Sequence, residues 1–145
     1  MTINECRRYL RRWRSTENTL KRLKEEKRTG DEAIEALREL SVTPPDGMPH
    51  GNKVTHPTEN TAMRILSLMQ ARQAYVDNLN ERIAKAEVYL KRVELVMKVA
   101  EHSELLRLYY HDKKPMYRVA EELHYGKTRA WELEREAIQS ICCLL

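Results

Sequence analysis

Phenylalanine is absent from this chain of 145 residues, glycine occurs four times and cysteine three. These shortages disfavour sheet, which draws on aromatic residues in its strands and on glycine in its turns. With a charged fraction of 33 %, they point to an all-α chain of long helices with polar outer faces. No apolar run approaches the roughly 20 residues that cross a bilayer. The opening MTINECRRYL also lacks the apolar stretch of a signal peptide. The cytoplasm is therefore the expected location, and no membrane partner is expected. Cys6, Cys142 and Cys143 show neither CxxC spacing nor a disulfide framework, so free thiols are expected. His50 and His56, with Asp46, are the one grouping that suggests a metal, and loop polarity explains them better. Paired carboxylates, Cys/His or Ser/His spacing and glycine-rich phosphate loops are all missing, so neither an enzyme nor a cofactor is expected.

What the chain does contain is charge in blocks and apolar residues in register. Its formal charge is +4, and the excess is N-terminal: residues 1–30 hold ten Lys/Arg against four Asp/Glu. Cys6, Tyr9, Trp13, Thr16, Leu20 and Leu23 recur at steps of three and four, and the same register reaches Ile34 and Leu37. That is a heptad seam. Lys27 and Gly30 fall on it, and Gly30 predicts a weak point in the helix. Arg7, Arg8, Arg11, Arg12 and Arg14 all avoid the seam, which favours a solvated outer face. Residues 41–57, SVTPPDGMPHGNKVTHP, carry four of the five prolines and must interrupt the helix. A second, longer seam follows, with Ala62, Ile65, Met69, Val76, Leu79, Ile83, Ala86, Leu90, Val93, Met97 and Ala100, broken only by Arg72.

Residues 1–100 thus predict a long antiparallel helical hairpin, each arm about 60 Å. The alternative is a coiled coil in which each seam meets another chain, making a homo-oligomer. Residues 101–145 read as a small second domain of three short helices, near 101–111, 115–123 and 127–142. Leu105, Leu106 and Tyr109 face inward on the first, and Pro115 suits the first position of the second. Val119, Ala120 and Leu123 oppose Ala130, Leu133, Ala137 and Ile141 across the short connection HYG, with Gly126 as N-cap. The pair is either a helix-turn-helix or a plain packing unit.

Phase then sorts the glutamates of the last helix. With Ala130, Leu133, Ala137 and Ile141 inward, the outer face is Thr128, Glu132, Arg135 and Gln139, with Lys127 and Trp131 beside it. Glu134 lies at the edge of the core stripe and Glu136 on the flank, each able to pair with a nearby cation. Glu132 can accept from cytosine N4, and Arg135 can read guanine or hold Glu132 in place. Lys127 and Arg129, helped by Lys113, Lys114 and Arg118, are candidate phosphate contacts, each equally consistent with a solvated surface. These cations are few for a single DNA-binding unit, so affinity needs dimerisation, the basic N-terminal helix or a second partner.

The run Tyr117, Val119, Ala120, Leu123, Gly126, Ala130 and Ala137-Ile138 resembles the promoter-recognition helix-turn-helix of bacterial sigma factors. Gly126 stands where serine is usual, and Ala130 where a larger aliphatic is. Together with the coiled helices, the DGMPHG and HPTEN segments and LLRLYY, most of the chain resembles phage-encoded transcriptional regulators of the ArpU/RinA type. The resemblance implies a regulator of phage late or packaging genes in a bacterial host cytoplasm, binding double-stranded DNA, with host RNA polymerase as a further partner to test. Two other readings stay open: a packaging component such as a small terminase subunit, and a structural coiled-coil adaptor.

Overall fold

Thr2 starts the first helix by a reciprocal cap. Its hydroxyl accepts from the Glu5 amide (3.3 Å) while the Glu5 carboxylate accepts from the Thr2 amide (2.7 Å). Helix α1, Ile3–Arg11, ends at Arg12, and α2 begins at once as Trp13–Val42. After the Pro/Gly-rich segment come α3, Glu59–Val99, and α4, Ser103–Leu106, which runs into a π-helical turn at Arg107–His111. Last are α5, Met116–Glu122, and α6, Lys127–Ile141. The computed structural model describes residues 1–42 and 59–145, and no strand occurs among them. The connection read at 41–57, with Asp46, His50 and His56, lies outside the described residues from 43 onward. No helix among the described residues is long and apolar enough to cross a membrane.

The chain divides into two compact units. One comprises Arg22–Ala84. In it the seam residues Leu23, Ile34, Val76, Leu79 and Ile83 are buried. Helix α2 runs unbroken through Gly30, where the missing side chain leaves room for a close approach. A Cβ there would stand 2.8 Å from Val76 Cγ2. Nearby, the Tyr75 hydroxyl donates to the Glu26 carboxylate at 3.2 Å.

The other unit joins Met1–Lys21 to Lys85–Leu145. Its core takes Cys6, Leu10 and Trp13 from the N-terminal helices and Tyr89, Val93, Val96 and Met97 from α3. It adds Leu105, Leu106 and Tyr110, then Met116, Val119 and Ala120, then Ala130, Leu133, Ala137, Ile138 and Ile141. The segment read as a separate domain, 101–145, therefore shares one core with the chain's first helix. Burial raises the Cys6 thiol to about 12, helped by Cys142 beside it, which makes it an inert packing group.

Two details sharpen the register expected for the last three helices. Tyr109 packs against the core only partly buried while Tyr110 beside it is fully buried, at a π-helical turn closed by Asp112 N to Arg107 O at 3.0 Å. Pro115 is the N-cap of α5 and not its first helical residue. At the second junction Gly126 caps α6 as expected, with φ −68°, and the left-handed residue is His124 at φ 59°.

Candidate functional site

The α6 stripe Ala130, Leu133, Ala137 and Ile141 is buried, joined by Ile138. This fixes the outward face as phase required: Lys127, Thr128, Trp131, Glu132, Arg135 and Gln139 are exposed. Five of them, without Gln139, line one open concavity of 480 Å³. Its sixth lining residue is Arg7 of α1, although its place outside the seam favours solvent.

Arg7 is held there by Glu134. That carboxylate is fully buried, and the cation it pairs with comes from α1. Arg7 Nε donates to Oε1 at 3.0 Å and a terminal Arg7 nitrogen to Oε2 at 2.8 Å. The Tyr110 hydroxyl donates to Oε1 at 2.7 Å. The bidentate bond raises the arginine further above its ordinary range, against the desolvation that lowers it. Burial, and then the hydrogen bond to Glu134, push the Tyr110 phenol upward, so it stays a donor. Three elements meet at this carboxylate: α1, the π-helical turn and α6. An aromatic series runs out from it, Tyr110 edge-on to Tyr109 (4.9 Å between centroids) and Tyr109 edge-on to Trp131 (5.6 Å).

The remaining expected residues separate into groups. Arg129 bonds Glu132 at 3.1 Å and approaches Glu136 at 3.8 Å, so the partner of Glu132 is Arg129 and not Arg135. Glu136 also lies 3.7 Å from His102. Lys113 and Lys114 line a second concavity of 310 Å³ with Arg11, Tyr109, Tyr110 and Pro115. Lys113 Nζ donates to the Arg11 carbonyl at 2.8 Å, and Lys114 pairs with Glu122 at 2.7 Å. Arg118 is exposed on α5 and lines neither concavity.

The five arginines of α1 and its junction with α2 thus have distinct surroundings. Arg7 and Arg11 line the two concavities, and Arg14 donates to the Asp112 carbonyl at 3.2 Å. Arg12 stacks over Tyr89 at 5.2 Å, and Arg8 is exposed. The spacing of 7, 11 and 14 was a readable signal of one helix side, but it did not say what would pack beside that side.

Nearby, His111 donates or accepts at both ring nitrogens, to Asp112 (2.8 Å) and Glu17 (2.6 Å), with Trp13 stacked at 5.0 Å. Burial pulls its basicity down, but the two carboxylates outweigh it and the net shift is upward. No family model, curated protein or solved structure matches the chain.

Proposed function

We propose that the protein is a sequence-specific double-stranded-DNA-binding regulator of transcription. In this reading α5 and α6 form a helix-turn-helix, carried by an antiparallel helical hairpin, and α6 enters the major groove. The carrying observation is the outward face of α6, where Lys127, Thr128, Trp131, Glu132 and Arg135 line a single open surface. Donors, an acceptor and an aromatic plane on one helix face suit base edges and the thymine methyl. Gly126 leaves the first α6 amides without a side-chain cap, so they are free to meet a phosphate. Arg129, engaged by two glutamates, orients Glu132 in place of contacting phosphate itself. The resemblance to ArpU/RinA-type phage regulators adds that the regulated genes are phage late or packaging genes.

The test is binding to DNA from the adjacent phage genome, by wild type and Arg135→Ala. Sequence-preferring binding at moderate salt that Arg135→Ala relaxes by about 1–3 kcal/mol at one base pair supports the reading. Its absence in the wild type overturns it, and a stable ring of many subunits in solution would favour packaging over regulation.

A further inference from the structure

The helix assigned to the groove is short of positive charge. With Arg129 neutralised, α6 offers only Lys127 and Arg135, enough for about two phosphates at a salt slope near 0.9 each. Resting on the DNA-binding reading, we propose that α1 and the turn before α5 form a phosphate-holding strip beside α6, made by Arg11 and Lys113.

Tertiary packing makes the strip. Arg7 and Arg11 stand one helical turn apart on α1, and each lines a concavity next to the aromatic pair Tyr109 and Tyr110 or to Trp131, which touches it. The acidic side chains around these surfaces are each held by a cation: Glu132 by Arg129, Glu134 by Arg7 and Glu122 by Lys114. Arg11, Lys113, Lys127 and Arg135 have no carboxylate partner among the described residues. Their charge is therefore available to an outside anion, and four cations spread along two adjoining hollows suit successive phosphates better than one small ligand.

Lys113 adds a second argument. Its backbone has φ 56°, a left-handed conformation that glycine adopts freely and an L-residue rarely does. The strained lysine carries its ammonium across to the Arg11 carbonyl, which fixes the charge against α1. Arg7 has another part. Glu134 cancels its charge and takes two of its five N–H donors, so it is not counted among the strip's phosphate contacts.

The experiment measures binding of the full chain to a mixed-sequence DNA duplex across a salt series, for wild type, Arg11→Gln/Lys113→Gln and a control, Lys91→Gln/Lys98→Gln. The control makes the same charge change on exposed positions outside both concavities. The expected result is a fall of about 1.8 in the salt slope for the first double variant and little change for the control. An unchanged slope in a variant that unfolds like wild type overturns the strip and leaves the α6 reading intact. Equal falls in both variants also overturn it, since net charge would then explain the effect. No binding by the wild type overturns both proposals.

Discussion

Glu134 carries the largest residue-scale consequence. A carboxylate with no exposure is tolerable only because Arg7 and Tyr110 saturate it, so removing one partner leaves a buried charge uncompensated. Arg7→Ala should lower unfolding stability by about 3 kcal/mol, measured by urea denaturation. Arg7→Met with Glu134→Leu and Tyr110→Phe should recover much of that loss, because the desolvation cost disappears with the charges. A recovery that is missing would mean that α6 depends on the network for its position and not only for neutrality. Gly126 makes the contrasting case. A side chain there meets nothing within 4 Å and φ is negative, so Gly126→Ser should stabilise α6 by a few tenths of a kcal/mol through a new cap, read as a small rise in Tm.

At the scale of elements, α2 shows how packing overrides propensity. Alanine for glycine within a helix ordinarily gains about 1 kcal/mol. At Gly30 the added Cβ would press on Val76 Cγ2, so Gly30→Ala should fail to stabilise, whereas Gly30→Ala with Val76→Ala should remove the clash. A full propensity gain in the single variant, by thermal unfolding, would show that the two segments separate easily at this point. The π-helical turn works in the other direction. One extra residue in the turn brings Tyr110 onto Glu134 and leaves Tyr109 to reach Trp131, so a single phase shift supplies both the anchor and the aromatic wall of the site.

For the whole molecule, the link between the N-terminal helices and the C-terminal segment should respond to pH. His111 joins Glu17 to Asp112 and its basicity is raised above the ordinary value of 6.5. Its protonated form is thus favoured in the fold, and the resulting stability is complete below about pH 6.5 and lost as pH rises through the raised value. Wild type should therefore lose Tm across that window relative to His111→Gln, with the two curves parallel elsewhere. If the difference between them does not change with pH, His111 serves as a packing group alone.

Much was legible in the sequence because helices announce themselves by period. The seam through Cys6, Trp13, Leu23 and Ile34, the second through Val76, Leu79, Ile83, Val93 and Met97, and the buried stripe of α6 all follow from spacing alone. So does the outward set Lys127, Thr128, Trp131, Glu132 and Arg135, since burying one stripe exposes the opposite one. Period says nothing about which helix lies beside which face. The pairing of Arg7 with Glu134 spans 127 positions, and only packing could convert an arginine outside the seam and a glutamate at a stripe edge into a buried bridge. The same packing set Arg11 beside Lys113, because a long-range contact depends on the arrangement of several elements in space and no local repeat encodes that arrangement.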